Sequence, residues 1–331
     1  MRGRDIVGAG RPPAARTLAD MPRPVPAPLL AWLDALRCPQ CGAQLAEHEG
    51  ALRCPARHSF DLARAGYVSL LRGGGAVSGD DDEMARARQR FLDTGAYDPL
   101  RTALADLAAR TVPALECAGA RDSQEGSAPV PASSGDAAHA PSVLDMGCGP
   151  GHYLATLLDR FPAARGLGVD TSARSLRFAA RAHDRAAAVL GDVFARFPLA
   201  DSSVDVLLDV FAPRNAAEFA RVLRPDGALL VARPTSAHLA ELRALVPDMV
   251  AVDPRKEQRL HAALDPHLQE VAREELRIPL SLSPAAARDL IAMTPSARHV
   301  DPARAASLLE DEGTIEVTLG VLLSTHRPRL G

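Results

Sequence analysis

Short apolar runs alternate with amphipathic stretches from residue 142 to the end of the chain. Runs at 143–145, 166–170, 189–190, 204–210 and 228–232 read as strands, and 153–160, 173–183 and 216–223 read as helices. Strand, loop and helix in repeated order predict a doubly wound parallel sheet, an α/β fold of Rossmann-like type. The tail, 253–331, mixes polar helices with a last apolar segment at 315–323 that suits late strands of the same sheet.

Upstream the pattern changes. Met84, Ala87 and Phe91, then Leu100, Leu104 and Leu107, recur at helical spacing, which predicts two helices with a break around 95–99. Short apolar runs at 43–45 and 51–52 suit small strands. Residues 1–28 are rich in Arg, Pro, Ala and Gly without a sustained apolar period, and read as a disordered leader. Residues 118–141 lack periodicity and read as a flexible insertion. The expected organisation is a leader (1–28), a small module (29–72), linking helices (73–117), the insertion (118–141) and a large domain (142–331).

With 331 residues, 47% of them hydrophobic, the chain can bury one large core or a medium core with a small one. No stretch is apolar for long enough to span a bilayer, and the start lacks a signal-peptide core, so a cytoplasmic protein is expected. A net charge of -3 excludes a globally basic nucleic-acid surface and leaves room for a local one. Lys256 is the only lysine, a compositional bias rather than a functional signal. Five cysteines, three of them clustered, do not make a disulfide framework.

That cluster is Cys38-Pro39-Gln40-Cys41-Gly42, followed by Cys54 and His58. Two thiolates two residues apart turn back onto one ion, and a second pair across a hairpin completes the tetrahedron of S and N donors that zinc takes. Gly42 supports the tight turn after the second cysteine. His48 is a rival ligand, expected in solvent; without Cys54 and His58, the first two cysteines would read as a redox pair. Four protein ligands close the sphere, so the zinc expected on Cys38, Cys41, Cys54 and His58 is structural, and so small a module needs it to fold.

Val143-Leu144-Asp145-Met146-Gly147-Cys148-Gly149-Pro150-Gly151 is a strand running into a glycine loop before a helix. Dinucleotide enzymes use a close relative of this loop. Asp145 just before the glycine loop, Asp170 ending the next strand and Asp192 after the third favour S-adenosylmethionine instead. A carboxylate at 145 suits a sulfonium and an ammonium. Asp170 can hold ribose hydroxyls, Asp192 the adenine amino group, and the helix amides behind Gly147, Gly149 and Gly151 the methionine carboxylate. The rival reading of Asp170 is a strand-end acid, with Thr171 and Ser172 capping the next helix.

These motifs resemble the RlmA-type 23S rRNA guanine-N1 methyltransferases, which include the macrolide-resistance enzymes called TlrB. The similarity runs from about residue 36 to the C-terminus, outside the leader and the insertion. Cys38 to Gly42, Cys54-Pro55-Ala56-Arg57-His58-Ser59-Phe60-Asp61 and Gly66-Tyr67-Val68-Ser69-Leu70-Leu71 carry it. So do Phe91-Leu92-Asp93-Thr94-Gly95-Ala96-Tyr97-Asp98-Pro99-Leu100, Phe211-Ala212-Pro213 and Met293-Thr294-Pro295. The resemblance implies a class I methyltransferase domain behind a zinc-binding RNA-recognition module, with zinc on the four residues named above. It also implies donor contacts from Tyr97, the Gly149-Pro150 turn and His238. From the residues alone, Tyr97 reads as a core aromatic and His238 as a polar helix residue. Pro150 departs from the more polar residues often found there, which backbone contacts tolerate. The implied substrate is a hairpin loop of 23S rRNA near the peptide exit tunnel, where a methyl group hinders tylosin-type macrolides.

Guanine N1 carries a proton on the Watson–Crick edge, so the base must be unpaired or extruded before methylation. Catalysis is then mostly positioning, with a charge environment that favours loss of that proton. The catalytic residue is not identified: Asp209 either accepts the proton or pairs with Arg214, and Phe211 either stacks on the guanine or packs inside. Phosphate contacts are expected from Arg53, Arg57, Arg64 and Arg72 on the module and from Arg86, Arg88 and Arg90 on the next helix. The rival for the helix is a solvated face that balances the acids at 80–83. A homodimer would suit a two-headed grip on RNA. The competing functions are a small-molecule S-adenosylmethionine-dependent methyltransferase with a structural zinc lid, and a non-catalytic zinc-dependent RNA-binding protein.

Overall fold

A computed structural model describes residues 23–72, 79–117, 140–251 and 263–329. The expected leader and insertion lie outside the described residues except at their C-terminal ends, as does Lys256.

The described N-terminal segment forms α1 (Ala27–Leu30), then β1 (Ala46–His48), β2 (Ala51–Arg53), β3 (Ser59–Asp61) and β4 (Val68–Ser69). Three helices follow, α2 (Asp82–Asp93), α3 (Asp98–Thr111) and α4 (Ala114–Cys117). Asp81 caps α2 by accepting from the Met84 amide at 2.9 Å, with Asp82 and Glu83 in the first turn where the helix dipole favours acids. Gly95 takes the left-handed turn (φ +77) between α2 and α3, and Pro99 starts α3, so the expected break falls where the sequence places it.

The large domain runs β5 (Ser142–Met146), α5 (His152–Arg160), β6 (Arg165–Asp170), α6 (Ala173–Ala179), β7 (Ala186–Leu190), β8 (Val204–Val210), α7 (Ala216–Val222), β9 (Leu223–Pro234) and α8 (Ala240–Leu245). It ends with β10 (Leu268–Leu282), α9 (Pro284–Ala292), a 3₁₀ turn, α10 (Pro302–Glu310) and β11 (Ile315–Pro328). The eight strands lie in the order β10-β11-β9-β8-β5-β6-β7-β4, parallel from β9 to β4, with β11 and β10 antiparallel. The chain winds one way from β5 to β7 and the other way from β8, so the crevice for a ligand opens beyond the C-terminal ends of β5 and β8.

One stretch differs from expectation: 268–282 is a strand of the sheet, not part of the polar helices. It lies at the edge, so most of its side chains meet solvent and can be Glu or Arg, while Leu276, Ile278, Leu280 and Leu282 keep the two-residue period toward the core. Predicted helix 173–183 stops at Ala179.

Side chains on alternate residues of the central strands enter two different cores. Val143, Val206 and Leu208 pack with Leu104, Tyr153 and Leu290 on one face. Leu144, Met146, Leu167 and Leu207 pack on the other face with Phe219 of α7 and with Leu29, Trp32, Leu36, Leu45 and Leu52 of the N-terminal segment. The metal module thus covers the sheet as a helix layer would. Trp32 is fully buried, its indole Nε1 donates to the Gly166 carbonyl at 2.9 Å, and the Arg165 guanidinium lies 4.5 Å from its ring centroid. β4 joins the sheet beside β7, with Val68 opposite Val189. Among the described residues no helix is long and apolar enough to cross a membrane.

Candidate active site and metal centre

The metal cluster is local in sequence and closes through two turns. The Cys38 amide donates to the Ala43 carbonyl at 2.7 Å and the Gly42 amide to the Cys38 carbonyl at 2.8 Å, with Gly42 at φ +75. Across the hairpin the Cys54 amide donates to the His58 carbonyl at 3.1 Å, and Arg57 takes the positive φ of +65. One ligand atom each from Cys38, Cys41, Cys54 and His58 lies within 4.8 Å of the other three. His58 Nδ1 is 3.5 Å from Cys38 Sγ and 3.3 Å from Cys54 Sγ, and Cys41 Sγ is 3.6 Å from Cys54 Sγ. A tetrahedron with zinc–sulfur bonds of about 2.3 Å has edges of about 3.8 Å, so the donor set fits zinc in kind and in size. His48 stays outside, exposed and 3.1 Å from Arg53.

The second site lies at the C-terminal ends of β5 and β6. Gly147, Gly149 and Gly151 all have positive φ (+77, +53 and +90), and Gly151 caps α5. A Cβ on Gly147 would stand 2.6 Å from the Cβ of Ala212, and one on Gly149 would stand 3.2 Å from Cδ of Arg88. The loop is therefore pressed between the Phe211-Ala212 turn and the Arg88 side chain. Pro150 is buried behind them.

Asp170 fastens this loop. One of its carboxylate oxygens accepts from the Gly149 amide at 2.8 Å and the other from the Ser172 amide at 2.7 Å, while Ser172 Oγ accepts from Ser175 and caps α6. Each oxygen keeps a second lone pair, so the strand-end role leaves Asp170 able to receive a hydroxyl group. The Gly191 amide donates to the Asp170 carbonyl at 3.0 Å, which sets half-buried Asp192 beside it; Asp192 in turn accepts from the Phe194 amide at 2.8 Å.

Asp145 is 1% exposed, and its Oδ2 has no hydrogen-bond partner among the described residues. Burial, then the negative charges of Asp170 and Asp209, push its pKa up to about 8. Burial also raises Asp170. An orphaned buried carboxyl among other acids is a place for a cation. Cys148, buried within the loop, has its thiol pushed well above its ordinary pKa by the same burial and the charges of Asp170 and Asp145, which keeps it protonated and inert.

Asp209, fully buried at the end of β8, has an oxygen 2.7 Å from Nε of Arg214, so the ion pair is the reading the structure takes. Phe211 next to it is left-handed (φ +56) and 36% exposed. Its ring centroid lies 6.5 Å from that of Tyr97 and 5.6 Å from that of His238, joining these two otherwise distant residues in one aromatic wall. Tyr97 is 2% exposed and stands edge-on to Phe91 at 4.9 Å, and burial holds its hydroxyl protonated. Gly320 of β11 makes room for the His238 turn, because a Cβ there would meet the His238 amide at 2.9 Å.

Of the arginines expected at phosphates, Arg88 donates to Asp80 at 2.7 Å and to the Met293 carbonyl at 2.6 Å, and Arg90 pairs with Asp289 at 2.7 Å and Glu83 at 2.9 Å. These two balance acids, and Arg86 stays exposed. Arg57, Arg64 and Arg72 on the module are exposed, while Arg53 is tied to His48 and Ser59.

Two family models match the chain. Residues 36–72 match the zinc ribbon described as RlmA, N-terminal, and residues 143–227 match the methyltransferase domain. A 23S rRNA (guanine(748)-N(1))-methyltransferase of Streptomyces fradiae is 41% identical over 294 residues, 88% of this chain and 96% of that protein. The chain belongs to the 23S rRNA (guanine-N1)-methyltransferase family. A candidate member from Micromonospora griseorubida is 45% identical over 301 residues, 89% of this chain and 98% of the relative. Another, YxjB of Bacillus subtilis, is 32% identical over 294 residues, 86% and 94% of the two chains.

Family membership makes the chain an S-adenosylmethionine-dependent enzyme with a zinc ribbon, and both donor sets fit. Sequence reasoning missed the Arg88–Asp80–Met293 clamp over Gly149 and the contact of Ala212 with Gly147. The signal for both lay in Met293-Thr294-Pro295 and Phe211-Ala212-Pro213, which carried a resemblance but, for Met293 and Ala212, no visible role.

Proposed function

We propose that this methyltransferase modifies N1 of the guanine equivalent to guanine 748 of the Streptomyces fradiae relative's substrate, in a 23S rRNA hairpin loop near the peptide exit tunnel. It works in the cytoplasm with the ribosome, and the methyl group lowers sensitivity to tylosin-type macrolides. The observation that carries the reading is the orphaned Oδ2 of Asp145 beside three left-handed glycines, behind a zinc ribbon built into the same sheet.

S-adenosylmethionine supplies an electrophilic methyl group on a sulfonium. Asp145 would face its positive end, the amides after Gly149-Pro150 and Gly151 its carboxylate, Asp170 would take the ribose hydroxyls and Asp192 the adenine amino group. Tyr97, Phe211 and His238 would wall the donor and exclude water from it. Cys38, Cys41, Cys54 and His58 hold zinc, which keeps the ribbon folded and takes no part in the chemistry. Phe211, forced into the left-handed region beside the donor loop, offers its face to an extruded guanine.

The test is methylation of a 23S rRNA transcript with labelled donor, mapped by primer extension, because N1-methylguanine stops the polymerase. A stop at the equivalent of guanine 748 is expected. No stop in the hairpin sinks the rRNA reading, and a stop at a neighbouring guanine sinks only the position. An unchanged tylosin inhibitory concentration in an expressing host sinks the resistance role.

A further inference from the structure

The zinc turn at 38–42 and the loop at 196–201 enclose a cleft of about 440 Å³, also bordered by Arg37 and Arg72. Backbone contacts stitch its two walls together: the Arg37 amide donates to the Pro198 carbonyl at 2.9 Å, and the Ala200 amide to the Ala35 carbonyl at 2.8 Å. The cleft is rigid because both walls belong to one packed unit. Three arginines, Arg37, Arg72 and Arg196, line it against one acid, Asp201. That acid is shared between Arg221 at 2.6 Å and Arg196 at 3.7 Å, and Arg37 Nη1 donates to the Asp34 and Leu36 carbonyls, so three cleft cations face one acid already held from outside the cleft. Arg72 has no ion pair among the described residues.

Phe194, on the same loop, is 69% exposed, the most exposed of the large apolar side chains described. A single exposed phenylalanine is ordinary. This one belongs to a turn held by its own amide, which donates to Asp192 at 2.8 Å, and along the chain it stands midway between Asp192, which follows β7, and Arg196, in the cleft. From Asp192 to Arg196 the chain spans at most about 15 Å. A positive groove that begins two residues along the chain from a solvent-exposed aromatic side chain suits a single strand, whose bases are free to stack, and not a duplex, whose bases are not.

We infer that the loop at 192–201 and the zinc ribbon form a track for single-stranded RNA, with Phe194 stacking an unpaired base and Arg37, Arg72 and Arg196 contacting phosphates. The track rests on the rRNA reading above and gives the ribbon a defined contact in it: RNA lies in the seam between ribbon and sheet, flanking the target guanine.

The test uses the full zinc-loaded chain and a fluorescently labelled 23S rRNA hairpin transcript. Phe194→Ala should raise the RNA Kd and the RNA KM roughly ten- to hundredfold with the salt slope unchanged, and Phe194→Trp should restore both. The double variant Arg72→Ala, Arg196→Ala should lower the slope of log K against log salt by about 1.4, from about 0.7 per phosphate contact on a single strand. Zinc content and S-adenosylmethionine affinity by calorimetry should stay within about twofold in all three. Wild-type KM in Phe194→Ala, a wild-type salt slope in the double variant, or an equal loss of donor affinity overturns the track. Failure of the wild-type chain to methylate the transcript overturns the rRNA reading and the track with it.

Discussion

Replacing Asp145 with asparagine should stabilise the donor-free protein while crippling donor binding, two effects that pull apart with pH. In the unfolded chain this carboxyl titrates near its ordinary 3.8; in the fold it titrates at about 8, because burial and the neighbouring Asp170 and Asp209 disfavour its charge. Between those values the folded state binds the proton more tightly than the unfolded one, so stability falls as pH rises, by about 1.4 kcal/mol per pH unit. At pH 7 the accumulated cost is on the order of 4 kcal/mol. Asparagine keeps an acceptor for the Leu154 amide that Asp145 bonds, and carries no charge to desolvate. Thermal melts of the donor-free Asp145→Asn protein should therefore exceed wild type at pH 8 and converge with it toward pH 4. Calorimetry should show the reverse for the ligand. Wild-type affinity for S-adenosylmethionine should climb up to tenfold per pH unit until about pH 8, as the cation selects the ionised carboxylate, and the variant should bind weakly and without that slope. A melting difference between the two proteins that is the same at pH 5 and pH 8 would refute the orphaned-carboxylate argument.

Gly147→Ala should lower donor affinity at least a hundredfold, since it adds a left-handed penalty of about 1–2 kcal/mol to a collision at 2.6 Å with Ala212. The double variant Gly147→Ala, Ala212→Gly should recover only the steric part, and full recovery in calorimetry would show that backbone conformation is irrelevant there. Cys54→Ser should release zinc, measured by metal analysis, and lower the melting temperature of the chain in a single transition, because the ribbon shares its core with β5, β6 and β7. Two separate transitions in a calorimetric scan would mean that the ribbon folds apart from the sheet.

The most legible features were those written in near neighbours. Cysteine spacing and Gly42 announced the ribbon within 21 residues, from Cys38 to His58, and the geometry of the four ligand atoms follows from two local turns. The glycine loop and the acids at 145, 170 and 192 stood out because each lies at or within two residues of the end of a strand of readable period. Edge strand β10 was harder: solvent on one side lets Glu and Arg occupy it, which blurred its alternation against a helical reading. Arg88 and Arg90 also misled, since an arginine on a helix face looks the same whether its partner is a phosphate or Asp289, nearly 200 residues away.

Local order in the chain, its apolar period, its turn residues and its metal spacing, was enough to specify the α/β class, the zinc ribbon and the methyl-donor loop. Those depend on interactions within a few residues, which any folded context preserves. Packing alone decided that the ribbon is a layer of the sheet rather than a separate head, through contacts such as Trp32 to Gly166 across 134 residues. Packing also left Oδ2 of Asp145 without a partner among the described residues and gathered Tyr97, Phe211 and His238 into one wall. Burial and charge at a position are sums over neighbours brought from distant parts of the chain, and no window along the sequence contains them.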